Sequence, residues 1–146
     1  MAGIYIHIPY CKKLCNYCDF YHVISDNDHA LFVNALKKEI EIRQHYLDPE
    51  TVSTIYFGGG TPSVLNIKEI ESILDILRRS FVIETNHEIT IEVNPDDVTE
   101  KYFKELKDLG INRISLGIQS WRDEDLRFLN RRHTSIQSAE SLTAAL

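Results

Sequence analysis

Four short apolar runs, each followed by a loop and then by a helical pattern, restrict this chain to strands that are parallel and joined by crossover helices. The first run, GIYIHIP at 3–9, precedes a helical spacing over roughly 28–47, in which Phe32, Ala35, Leu36, Ile40 and Leu47 recur and Asp26 or Asn27 is placed to cap. The second, VSTIYF at 52–57, enters a glycine turn and then a helix of about 66–81. Ile67, Ile70, Ile73, Leu74 and Leu77 share one face of that helix, and Asn66 and Glu69 stand at capping-box separation. The third, EITIEVN at 88–94, stops at Pro95; Thr99 opens a short helix ending near Leu109, with Gly110 in the C-cap position. The fourth, NRISLGIQ at 112–119, leads to a short helix near 122–130, and a last helix starts near Ser135 and still runs at Leu146. Four βα units do not close an eight-stranded barrel, and the last helix has no C-cap signal, so the chain reads as a fragment of a longer protein. A complete flavodoxin-like open sheet is the alternative.

Strands buried on both faces read as continuous Val/Ile/Leu runs, whereas these alternate. Ile4, Ile6 and Ile8 oppose Tyr5 and His7. Ile55 and Phe57 oppose Tyr56 and Gly58, and Ile89, Ile91 and Val93 oppose Thr90, Glu92 and Asn94. Ile114, Leu116 and Ile118 oppose Ser115, Gly117 and Gln119. With the apolar face under the helices, the other face gathers Tyr5, His7, Tyr56, Glu92, Asn94, Ser115 and Gln119 into a concave lumen suited to a small molecule. A solvated face of an antiparallel sheet is the competing account, and the helices between strands leave it little room.

Hydrophobic residues make up 43% of the chain, enough for a core, and the net charge of -6 without a Lys/Arg block argues against a nucleic-acid partner. The N-terminus lacks the features of a secretory signal, and no apolar stretch has the length of a membrane span. All three cysteines fall within eight positions, which fits thiols kept reduced as ligands better than a disulfide framework. A cytoplasmic location is the expectation.

The cysteines, Cys11, Cys15 and Cys18, follow the first strand with the spacing C-x-x-x-C-x-x-C, on a loop where α/β folds place ligand sites. Soft thiolates select zinc or iron–sulfur chemistry. A structural zinc needs a fourth ligand such as His7 or His22, whereas a [4Fe–4S] cluster can use three cysteines and leave one iron open. Gly58, Gly59, Gly60, Thr61 and Pro62 follow the second strand; the triple glycine lets backbone approach a ligand, yet neither the P-loop nor the dinucleotide pattern is completed. Glu92 on the lumen face needs hydrogen-bond partners if it is buried, whether for a salt bridge or for a ligand.

Taken together, YIHIPYC-x3-C-x-Y-CDF, FGGGTPS, IEVNP, LGIQS and LNRRH resemble the radical S-adenosylmethionine superfamily over nearly the whole chain. That resemblance implies a partial (β/α)6 TIM-like barrel with parallel strands, of which 1–146 is the N-terminal portion, cut after about four βα units. It implies a [4Fe–4S] cluster on Cys11, Cys15 and Cys18, with S-adenosylmethionine chelated at the fourth iron and an electron donor to reduce the cluster. One electron then cleaves the sulfonium to a 5′-deoxyadenosyl radical. It also implies cofactor contacts from Tyr5, Tyr17, Gly59, Gly60, Thr61, Glu92, Gln119 and Arg131. His7, His22 and His133 hold structural or supporting places, and no catalytic side chain is singled out.

Within the superfamily the strings resemble the coproporphyrinogen oxidase-like branch. The oxygen-independent coproporphyrinogen III dehydrogenases carry a further cysteine two residues after the third, where this chain has Asp19-Phe20. The CDF form is similar to the HemW-like haem chaperones, which implies binding of haem and its delivery to recipient haemoproteins. Oxidative decarboxylation of a porphyrinogen is the alternative, and a metal-binding module without catalysis is the second.

Overall fold

The computed structural model describes residues 2–24 and 29–146. Its main sheet contains β1 (Ala2–Ile8), β4 (Val52–Gly59), β5 (Ile83–Val93) and β6 (Arg113–Leu116), hydrogen-bonded in that order. Every pairing is parallel, with Tyr5 beside Tyr56, Phe57 beside Ile91 and Glu92 beside Ser115. Helices α1 (Ala30–Ile42), α2 (Ile67–Ser80), α3 (Glu100–Asp108), α4 (Asp123–Phe128) and α5 (Ser135–Ala145) follow the strands. This is the α/β, parallel-sheet architecture expected from the alternation. No helix among the described residues is long and apolar enough to cross a membrane.

The one-sided pattern sets the layers. Ile6, Ile8, Ile55, Phe57, Ile89, Ile91 and Val93 are buried in one cluster with Val33 and Ile40 of α1, Ile70, Ile73, Leu74 and Leu77 of α2, and Phe103 and Leu106 of α3. Burying a side chain such as Phe57 contributes about 2–3 kcal/mol, so this face is where the sheet gains its stability. Helix ends follow their local signals. Asn66 Oδ1 accepts from Glu69 N at 3.0 Å while Glu69 Oε2 accepts from Asn66 N at 2.8 Å, completing a capping box. Thr99 Oγ1 accepts from Tyr102 N, Thr134 and Gln137 form a second capping box, and Gly110 takes a φ of +89° past the end of α3.

The boundaries differ from expectation in places with identifiable causes. The proposed caps Asp26 and Asn27 lie outside the described residues; α1 has buried His29 at its N-cap without a side-chain capping bond. The helix ends at Ile42 rather than near 47, and 43–49 continues as turns that still deliver half-buried Leu47 to the core. Strand β5 starts earlier, at Ile83, because Ile83 pairs with Val52 before a register shift brings Glu88 beside Thr54. Strand β6 is cut to Leu116: Gly117 N makes the last rung to Val93 O at 2.9 Å, after which Ile118 N turns back to Leu116 O at 2.9 Å and Gln119 adopts φ +66°, so 118–119 leave the sheet. A second, two-stranded sheet of β2 (Tyr10–Cys11) and β3 (Val23–Ile24) has no counterpart in the sequence reading, being too short to show a period.

Candidate metal and cofactor site

Because all four main strands run in parallel, their C-terminal ends deliver four connections to the same edge of the sheet. The loop after β1 carries the cysteines. Its base is closed by the β2–β3 pair, Tyr10 beside Val23 and Cys11 beside Ile24, and by Val23 N donating to Pro9 O at 2.6 Å. Cys11 is buried; Cys15 and Cys18 are half-buried, and all three are free thiols. Cys18 N donates to Cys15 O at 3.2 Å, which folds the two later cysteines into one turn.

The three thiols line a single pocket of about 60 Å³, together with Tyr17, Gly60, Thr61, Asn94 and Arg131. The Thr61 hydroxyl lies 3.3 Å from Cys11 Sγ. Arg131 Nη1 donates to Cys15 Sγ and lies equally close, 3.4 Å, to the Tyr17 hydroxyl. Its Nη2 donates to Asn94 Oδ1 at 2.5 Å and to Gly117 O at 2.8 Å. Asn94 in turn donates from Nδ2 to Thr61 Oγ1 at 3.2 Å, so the loops after β1, β4, β5 and β6 are tied into one network. Burial pushes the Cys11 thiol above the ordinary range; the Thr61 contact opposes this, the nearby Cys18 and Cys15 reinforce it, and Arg131 again opposes it. Burial likewise raises Tyr17, against the pull of Arg131.

Among the described residues no three His, Cys, Asp or Glu side chains converge on a point suited to one metal ion. Of the two histidines that could complete a zinc site, His7 is engaged outside the pocket, whereas His22 lines it. His7 Nε2 faces Tyr21 O at 3.2 Å and must donate, leaving Nδ1 to accept from the Tyr5 hydroxyl at 3.1 Å. His22 Nδ1 faces Phe20 O at 2.7 Å and also must donate, with that nitrogen 4.0 Å from Cys18 Sγ; this bond orients the ring and takes only one of its two nitrogens. Three soft thiols spread around one pocket, with a guanidinium on one of them, fit a cluster that takes each thiolate on a different iron.

The glycine turn adapts the backbone to this loop. Gly60 N donates to Ile8 O at 2.8 Å, so that N–H serves the fold and is not free for a ligand. A Cβ on Gly60 would stand 2.7 Å from Tyr10 O and 3.0 Å from both Ile8 O and Tyr10 N, all backbone atoms at the root of the cysteine loop. Gly59 has φ +114° and lies against the His7 ring.

Further residues form a separate polar wall on the lumen face. Tyr5 stacks on Tyr56 with ring centroids 6.0 Å apart, and the Tyr56 hydroxyl donates to Glu92 Oε1 at 2.7 Å. Burial raises both phenols, and the Glu92 carboxylate beside them adds to it. Of the sequence-derived candidates, Cys11, Cys15, Cys18, Tyr17, Gly60, Thr61 and Arg131 meet in the pocket, whereas Tyr5, Gly59, Glu92 and Gln119 do not line it. Gln119 is exposed on the exit from β6. His133, buried, points Nε2 at Ile118 O at 3.0 Å, which suits a structural place.

A charged cluster that is not among the expected contacts braces this network. The Asp97 side chain, with no exposed surface, accepts from Lys12 Nζ at 2.7 Å and pairs with Arg132 at 3.5 Å; Asp96 pairs with Arg132 at 2.7 Å. Burial works to raise the Asp96 carboxyl, but His133, Arg132 and a backbone bond outweigh it and hold the group below its ordinary value. Two acids directly after a strand-ending Asn-Pro were the available signal.

The chain is 36% identical over 139 residues to the "Heme chaperone HemW" of Lactococcus lactis, covering 94% of this chain and 36% of that protein. It is 35% identical over 131 residues to the oxygen-independent coproporphyrinogen III oxidase of Salmonella typhimurium, covering 88% of this chain and 29% of that protein. Among solved structures, coproporphyrinogen III oxidase (HemN) from Escherichia coli, described as a radical SAM enzyme, superposes with a TM-score of 0.91 at 32% identity, over 98% of this chain and 33% of that one. The chain thus spans about a third of the length of the proteins it matches. The Radical SAM superfamily profile covers residues 5–146, from β1 through the cysteine loop to α5, and the chain belongs to that superfamily.

Proposed function

We propose that Cys11, Cys15 and Cys18 hold a [4Fe–4S] cluster with one iron left to S-adenosylmethionine, and that these 146 residues are the N-terminal part of a radical SAM core in a protein that binds haem and delivers it to haemoproteins. The observation that carries the cluster assignment is the placement of three free thiols around one pocket, with Arg131 on Cys15. When bound, such a cluster supplies single electrons to its sulfonium cofactor.

The chain's own residues then have definable parts. Thr61 orients Cys11, while Arg131 brings positive charge and an N–H to Cys15 and, with Tyr17, borders the space in which the cofactor lies. Tyr56 fixes Glu92 as an acceptor for a hydroxyl or ammonium group of the cofactor. Tyr5, Gly59, Gly60, Thr61 and Gln119 complete the proposed contacts. A cytoplasmic reductant is the electron donor in this scheme.

Similarity to the heme chaperone HemW and the Asp19-Phe20 pair after the third cysteine support the haem-handling half. Similarity to coproporphyrinogen III oxidases supports a second reading, oxidative decarboxylation of a porphyrinogen. Anaerobic reconstitution is expected to load about four irons per chain and to fail in Cys15→Ala. In the whole protein, a haem titration giving a saturable Soret shift supports the chaperone. No shift, together with conversion of coproporphyrinogen III to protoporphyrinogen, transfers the assignment to the oxidase.

A further inference from the structure

The geometry points to a clamp on the cysteine loop: we propose that Asn16 and Asn130 are positioning residues that lock the loop onto the C-terminal turn of α4, holding Cys15 ready for the cluster. The inference rests on the cluster assignment for its purpose but on hydrogen bonds for its existence.

Residues 12–18 lie outside any strand or helix. Ordering such a stretch costs backbone entropy at every residue, so something must hold it. Three bonds from a segment more than a hundred positions away do so, and they bracket Cys15 on both sides. Asn16 N donates to Leu129 O at 3.1 Å and Asn16 Nδ2 to Phe128 O at 2.6 Å, while Asn130 Nδ2 donates to Leu14 O at 2.7 Å.

The contact also completes α4. A helix leaves its last carbonyls without intrahelical partners. Here Arg131 N donates to Leu126 O at 2.8 Å and Asn130 N to Arg127 O at 3.1 Å, the Schellman pair, and Asn16 takes the next two carbonyls. Asn130 sits at φ +59°, where glycine is the usual residue and Asn is among the few others tolerated. Glycine would serve the turn but could not reach Leu14 O. The choice of Asn is therefore explained by the loop, not by the helix. The residue that follows is Arg131, so the same turn that grips Leu14 and Asn16 sets the guanidinium 3.4 Å from Cys15 Sγ.

The test compares the full chain with Asn130→Gly, which keeps the left-handed turn, with Asn16→Ala, and with the double variant. In the reduced, metal-free chain, alkylation of each cysteine by iodoacetamide is followed by peptide mass spectrometry, with buried Cys11 as internal reference. Each single change is expected to raise the Cys15 to Cys11 rate ratio about fivefold, the weight of one hydrogen bond. Iron and sulfide uptake on anaerobic reconstitution is expected to fall with it. An unchanged ratio and unchanged uptake in both single variants, even with a lowered melting temperature, would reduce the two residues to an ordinary helix cap and overturn the proposal. If the unaltered chain takes up no iron, the cluster assignment fails, while the alkylation ratio still decides the clamp.

Discussion

Asp97→Asn tests whether charge placed beneath the cysteine loop holds the site together. The change is isosteric: it removes the charge that Lys12 and Arg132 face and replaces one acceptor oxygen, on the side of Ser63, with an amide donor. Breaking a fully buried ion pair costs about 3–5 kcal/mol, and an exposed pair is worth about 0–1 kcal/mol. This one is mixed: the Asp97 side chain has no exposed surface, but Lys12 is 36% and Arg132 33% exposed, so both cations can recover part of their hydration. The loss should fall between the limits, at about 2 kcal/mol. With a urea slope of about 2 kcal/mol/M for a chain of this size, the unfolding midpoint moves down by about 1 M. Urea titration followed by circular dichroism measures it, with Lys38→Met, which breaks the exposed pair to Glu41, as the reference. Added salt should leave most of the difference, because the buried carboxylate is poorly screened. If Asp97→Asn shifts the midpoint no further than Lys38→Met, or the difference vanishes in salt, the brace contributes as a surface pair does and the reasoning is wrong.

Gly60→Ala forces a Cβ against three backbone atoms at 2.7–3.0 Å, whereas Gly110→Ala meets only the end of Arg78 at 3.2 Å and pays for its φ of +89°. The first should cost about 2–3 kcal/mol and the second about 1 kcal/mol, so a calorimetric melt in which Gly60→Ala is the milder change contradicts the close-approach account. Tyr56→Phe removes the hydroxyl donated to half-buried Glu92 and should lower stability by about 1.5–2 kcal/mol in the same urea assay; an unchanged midpoint would mean that water replaces it at no cost. Asp96 is held below its ordinary value of about 3.9, so its contribution is fully present above that pH and is lost as the pH falls through the lower, folded-state value. Asp96→Asn should therefore flatten the acid end of a plot of urea midpoint against pH, and an acid limb as steep as in the unaltered chain would remove Asp96 from its cause.

What was legible before folding and what was not divides by the range of the interaction. The alternation of Ile4, Ile6 and Ile8 with Tyr5 and His7 reports a local geometric rule, one side chain to each face, and so it correctly placed the core under the helices and Tyr5, Tyr56 and Glu92 on the opposite wall. Capping at Asn66 and Thr99 was legible for the same reason, since donor and acceptor lie within one turn. The exit of β6 after Gly117 was not, because its apolar pattern continues to Ile118 while the backbone has already folded on itself, Ile118 N to Leu116 O, ahead of a left-handed Gln119. The division of the site was hidden likewise. Gly59 and Gly60 are neighbours in one motif, yet Gly59, at φ +114°, lies against His7 on the wall, while Gly60 packs on the root of the cysteine loop and lines the thiol pocket. Asn130 stands between the two cases. An Asn after a short helix is a local sign of a left-handed C-cap, but glycine would satisfy that sign equally well. Only the bond to Leu14 O distinguishes them, and it joins residues 116 positions apart. The positions where local rules permit two residues and the chain uses the one with the extra donor are thus where tertiary purpose enters the sequence, and at Asn130 that purpose is the cysteine loop.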